Sequence, residues 1–169
     1  GGDVAVSAGR DAVQVQLSAP NVGFLAPAGD AVALTTLAGG RTSVEAGRDV
    51  LGGFLLAGGD HATVRAGANV APAANQAELQ VLYANTDVNV SARGDVGIGR
   101  VSQAGLISSI QQWPGTQAPF AWRLGGTAPN ATLTVMSDAG NTVHSGTRPN
   151  QVTPSIRSDV SVTASGLKN

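Results

Sequence analysis

Apolar and polar residues alternate along much of the chain. Val4, Val6 and Ala8 share one parity, and Asp3, Ala5 and Ser7 share the other. After Gly9-Arg10-Asp11 the alternation resumes, with Val13, Val15 and Leu17 set against Gln14, Gln16 and Ser18. A period of two places successive side chains on opposite faces, which predicts strand rather than helix. The predicted elements are short strands, two or three to a unit, parted by Gly/Asp/Asn corners where glycine takes positive φ without a Cβ clash.

The alternating unit repeats. Asp3-Val4-Ala5-Val6-Ser7-Ala8-Gly9 returns at Asp87–Gly94 and at Asp159–Gly166, with looser copies at Thr42–Gly47, Ala62–Gly67 and Leu133–Ser137. Gly9, Gly29, Gly47, Gly67, Gly94 and Gly140 are separated by steps of 20, 18, 20, 27 and 46. A unit of this size with one apolar face cannot bury that face alone; stacking each strand on its counterpart one unit later does so, at about 4.8 Å per layer. Small Ala and β-branched Val suit the narrow interior of such a stack. Asp11, Asp30, Asp49 and Asn69 recur 19, 19 and 20 residues apart, as a shared corner column requires. The prediction is an all-β parallel β-helix of about seven coils. One unit covers 1–169, with excursions at about 71–84 and 97–130 where the repeat is unreadable. Leu79, Val81 and Tyr83 in the first excursion predict a displaced strand, and Leu106–Gln112 in the second predicts a short helix. Leucine-rich and helical repeats lack their patterns here, and a β-sandwich would not need near-copies at this spacing.

Composition narrows the class. Glycine supplies 23 of 169 residues, aromatics are 4% and charged residues 12%, against roughly 25% charged in an ordinary domain. Disorder is a poor reading, because such chains are highly charged and short of Val and Leu. The glycines have no period of three, which excludes collagen. With 10 basic and 11 acidic residues there is no electrostatic footprint for nucleic acid or an anionic membrane. Cysteine is absent, which removes disulfides, thiolate metal sites and cysteine nucleophiles. No apolar run reaches the length of a membrane-spanning helix. The opening Gly1-Gly2-Asp3 has neither a basic nor an apolar leader region, and an excised internal segment is the expectation.

The strings Gly2–Asp11 (GDVAVSAGRD) and Glu45–Val50 (EAGRDV) resemble the filamentous haemagglutinin family, very large bacterial exoproteins of two-partner secretion. The resemblance extends over most of residues 1–70, 85–96 and 131–166. It implies a right-handed parallel β-helix serving as the shaft of a secreted or surface-exposed Gram-negative adhesin. It further implies an outer-membrane transporter as partner of the full-length protein and a host-cell receptor or glycan as its target; the residues themselves lead to the expectation of no catalysis, cofactor or metal. The family's secretion domain carries Asn-Pro-Asn motifs; Pro129-Asn130 and Pro149-Asn150 lack the leading Asn, so shaft is the expectation.

Several residues carry candidate chemistry. Residues 97–130 hold half the chain's aromatics, with Trp113, Phe120, Trp122 and Arg123 as the possible ligand contacts. Aromatic faces stack on sugar rings or fill protein pockets, and Arg adds directional donors; the competing reading folds them back on the shaft as a satellite cluster. Arg93-Gly94-Asp95 spells the integrin-recognition tripeptide, which members of this adhesin family carry. It also falls where the repeat places its corner, beside the Gly-Arg-Asp of Gly9–Asp11 and Gly47–Asp49, so it ranks below the aromatics. Asn89-Val90-Ser91 and Asn130-Ala131-Thr132 are N-glycosylation sequons, read by default as unmodified. His61 and His144 have no partner at metal-ligand spacing, and no nucleophile-elbow or phosphate-loop motif occurs. The alternative function is a carbohydrate-active β-helix enzyme, a polysaccharide lyase or glycoside hydrolase, with outward Asp and Glu side chains converging as its acid and base.

Overall fold

The computed structural model of the chain describes residues 2–28, 31–37, 39–84, 86–103, 106–110, 120–124, 131–144 and 160–164. These residues form strands and connecting corners. In chain order the strands are β1 (Val4–Ala8), β2 (Ala12–Ala19), β3 (Val22–Ala28), β4 (Ala31–Leu37), β5 (Thr42–Ala46), β6 (Val50–Ala57), β7 (His61–Ala66) and β8 (Val70–Ala71). They continue as β9 (Leu79–Tyr83), β10 (Asp87–Ala92), β11 (Val96–Gln103), β12 (Leu106–Ile110), β13 (Phe120–Leu124), β14 (Thr132–Ser137), β15 (Thr142–His144) and β16 (Val160–Ala164).

The near-copies of the repeat meet in one sheet. Its strand order is β1-β5-β7-β10-β14-β16, parallel at every step. The middle valine of each copy stands in register with the next: Val6, Val44, Val64, Val90, Val135 and Val162. The same parity buries Ala46, Ala66 and Ala92, because in-register parallel pairing keeps every inward residue above an inward residue. The second sheet runs β15-β11-β8-β6-β2, also in parallel. Here β8 bonds the start of β6 and β9 bonds its remainder, while both also bond β11, which closes a small ring of four parallel strands. The chain passes from the first sheet to the second and back, layer after layer. Between them lies the core, with Leu55, Val64, Val70, Val81, Tyr83, Val88, Val90 and Val96 almost wholly enclosed.

This arrangement corrects the right-handed parallel β-helix of about seven coils. Between Asp11 and Asp49, read from spacing as two units, the chain pairs with itself: β3 and β4 are antiparallel from Val22↔Leu37 to Ala28↔Ala31. The first sheet therefore steps directly from β1 to β5, and Val6 lies on Val44. Two adjoining apolar runs, Val22–Ala28 and Ala31–Leu37, satisfy each other's backbone locally, with no long loop to close. The insertion is about one unit long, and Gly29 falls 20 residues after Gly9 and 18 before Gly47, so the spacing of the glycines hides it. A second antiparallel hairpin joins β12 to β13, so the predicted helix at Leu106–Gln112 is strand over Leu106–Ile110, next to β3. Its Ile107 and Ile110 are β-branched, and the facing segment Phe120–Leu124 is itself a strand former.

Two smaller differences follow from local geometry. Leu79, Val81 and Tyr83, read as a displaced strand, are buried in β9 within the second sheet, and only residues 72–78 stand off the row. Val13, assigned to the inward face, is 55% exposed. Gln14 adopts φ 50° opposite Gly52 at φ 64°, and this paired bulge slips the alternation by one residue. Ala12 before it and Leu17 and Ala19 after it all point inward.

Candidate functional site: the Asx corner column

The corner between the sheets is built from one residue per layer. Ala8, Ala46, Ala66 and Ala92 end their strands in register, so the chain turns at the same height in each layer. Three residues on stand Asp11, Asp49, Asn69 and Asp95, and four past Ser137 at the end of β14 stands Asn141, each immediately before a strand of the second sheet. Their side chains form a directional ladder. Asp11 Oδ1 accepts the Asp49 amide at 3.4 Å, and Asp49 Oδ1 accepts the Asn69 amide at 3.0 Å. Asn69 Oδ1 accepts the Asp95 amide at 2.9 Å, and Asp95 Oδ1 accepts the Asn141 amide at 2.8 Å. Asn69 Nδ2 also donates to Asp49 Oδ1, at 3.0 Å. A short acceptor side chain thus satisfies a backbone donor that the turn would otherwise leave unpaired. The column anticipated from spacing is real at Asp11, Asp49 and Asn69. Asp30 lies outside the described residues, and Asp95 and Asn141 continue the column unannounced, because insertions between them hide the period.

Charge concentrates at the first two rungs. Arg48 Nε donates to Asp11 Oδ1 at 2.7 Å, its Nη2 reaches Asp11 Oδ2, and Nε also lies 3.0 Å from Asp49 Oδ2. The Arg48 hydrogen bond holds the Asp11 carboxyl below its ordinary range, outweighing desolvation, and the same bond raises Arg48. Arg10 stands 3.7 Å from Asp11 with its side chain 75% exposed.

The tripeptide Arg93-Gly94-Asp95 occupies this corner. Arg93 holds the position of Gly9, Gly47 and Gly67, Gly94 that of Arg10 and Arg48, and Asp95 that of Asp11 and Asp49. Its backbone is tied to the layers on both sides: Gly94 N–H donates to Ala68 O, Arg93 O accepts from Ala139, and Ser137 Oγ donates to Gly94 O at 2.7 Å. Arg93 and Asp95 are exposed, but Asp95 spends one oxygen on the ladder. No room exists for a Cβ at Gly94, which would meet Asn69 Oδ1 and, at 3.1 Å, Ala68 O.

The aromatic candidates sit elsewhere. Phe120, Trp122 and Arg123 lie on β13, in register with Ile110, Ser108 and Ile107 of β12, whereas Trp113 lies outside the described residues. On the outward face of the first sheet, Asn89 of the first sequon bonds His61 at 3.3 Å, and Thr132 donates to Asp87 at 2.6 Å. Asn130 of the second sequon lies outside the described residues, and His144 ends β15. Among the described residues no three His, Asp or Glu side chains converge as a metal site. No family model, curated protein or solved structure matches this chain.

Proposed function

We propose that the chain is a structural segment of the shaft of a secreted or surface-exposed filamentous adhesin of a Gram-negative bacterium, of the filamentous haemagglutinin type. It carries attachment to host cells or other surfaces and performs no catalysis. The observation that carries this reading is the in-register parallel stacking of the repeat copies, tied by the Asx column. Stacked layers of this kind transmit shape along an axis and leave their outward residues free to vary. The repeat strings at Gly2–Asp11 and Glu45–Val50 supply the family resemblance. Attachment falls to the β12–β13 hairpin ahead of Arg93-Gly94-Asp95, whose aspartate and backbone already serve the corner. The experiment coats beads with the chain and measures their retention on cultured cells and on a polysaccharide array. Retention above that of uncoated beads, without change in any polysaccharide, is the expected result. Depolymerisation that disappears with a single Asp substitution would replace this reading with a glycan-processing enzyme.

A further inference from the structure

Both hairpins spring from the same corner. β3–β4 leaves the end of β2 and β12–β13 leaves the end of β11, where the second sheet returns to the first. β2 and β11 stand three steps apart in that sheet, which separates the two roots by about 14 Å. Yet β12 lies beside β3. The hairpins therefore converge across the two layers between them. Those layers leave the way clear, because β6 reaches β7 through Gly58-Gly59-Asp60 and β9 reaches β10 through residues 84–86.

The first hairpin is fixed at its root. Ala19 O accepts the Gly58 amide at 2.9 Å, and the Gly39 amide donates to Gly58 O at 3.0 Å, so both legs are bonded to the next layer. Between the legs Asn21, almost fully buried, accepts the Gly39 amide through Oδ1 at 3.4 Å. It stands against Gly58, where no Cβ would fit. Composition favours the contact between the hairpins. Of the chain's 10 basic and 11 acidic residues, Asp30 and Arg123 alone fall within 19–40 and 104–130, and neither lies on β3 or β12. The strands VGFLAPA and LISSI can thus meet without burying a charge.

We infer that the β3–β4 hairpin is the buttress of the attachment site. Anchored on the second layer, it sets the position of β12–β13, which carries Phe120, Trp122 and Arg123. A two-stranded hairpin is marginally stable in water by itself, and a neighbouring strand supplies the packing that it lacks. The inference rests on the assignment of attachment to β12–β13. It adds that the site is composite, with its support in a distant part of the sequence.

The test removes the buttress and reads the hairpin that it holds. Val22 and Leu37 face each other across the ladder, so an Asn-Gly turn can join them in place of residues 23–36 and leave the root intact. Trp113 and Trp122 are the chain's two tryptophans, both within 104–130, so intrinsic fluorescence reports on this excursion. In the shortened chain tryptophan anisotropy should fall, acrylamide quenching should rise and bead retention should drop to the uncoated level. The main thermal transition should stay in place. Unchanged anisotropy and quenching would overturn the inference. A second measurement does not need that variant to fold. The chain has no cysteine, so cysteine pairs scanned along β3 and β12 have no other disulfide to form. They should cross-link where pairs on β4 and β13 do not; no cross-link, or equal cross-linking of both sets, would also overturn it. If the parent chain is not retained on any surface while shortening still lowers the anisotropy, the adhesion reading fails and the buttress stands.

Discussion

At the scale of single residues, parity decides most of the structure. Val90 is fully enclosed between Val64 and Val135, so Val90→Asp places an unpaired carboxylate where nothing can hydrogen-bond it. Urea titration should show a loss of several kcal/mol, of the order of ~3–5, or no folded baseline at all. Gly47 is tied to close approach: a Cβ there would strike Gly9 O, and the carbonyl carbon stands only 3.0 Å away. Gly47→Ala should cost about 1–3 kcal/mol in the same titration, because the obstacle is backbone and cannot swing aside. Asp11 is legible as a corner former, but its charge state is not, since Arg48 is 37 residues distant. Its folded carboxyl is lower than its unfolded one, so its contribution is present above the ordinary carboxylate range. That contribution fades as pH falls through the depressed folded value. Asp11→Asn should flatten the acid limb of the melting-temperature profile, and salt should shrink the difference because the pair is exposed. Gln14 was illegible: nothing in Val-Gln-Val marks a left-handed residue, and the bulge becomes visible only opposite Gly52.

Between residues and the whole lie the strands and hairpins, where sequence spacing misleads. The copies at Val4–Ala8, Thr42–Ala46, His61–Ala66 and Asp87–Ala92 were recognisable because in-register pairing preserves side-chain identity from one strand to the next. The β3–β4 hairpin escaped notice because its residues alternate no differently from a coil, and only the pairing partner distinguishes the two. β9 was recognisable as a strand but not as part of the row, since its membership depends on where the chain returns after residues 72–78. Among the described residues the β12–β13 hairpin pairs only within itself, with β12 lying beside β3. Replacing residues 106–124 with a short Gly-Ser bridge should leave the strand signature in circular dichroism and the main thermal transition in place. Bead retention should fall to the uncoated level. Loss of the transition would instead make these residues part of the core.

Across the whole molecule, parallel pairing of layers was readable from near-copies, whereas the direction of the corner ladder needed atoms. Direction has a mechanical consequence. Interstrand hydrogen bonds in both parallel sheets lie along the stacking axis, so a pull on the two ends along that axis loads one layer at a time. A pull along the strands would load a full row at once. Axial tension should therefore peel the molecule in discrete releases whose lengths follow the chain between rungs. Those intervals are 38, 20, 26 and 46 residues from Asp11 through Asp49, Asn69 and Asp95 to Asn141. In an optical trap the shortest extension step would come from the layer between Asp49 and Asn69, and the longest from the layer that pays out residues 95–141. A tether assembled from such layers yields by unequal lengthening under load, and it regains its register as each corner side chain recaptures the amide of the layer that follows.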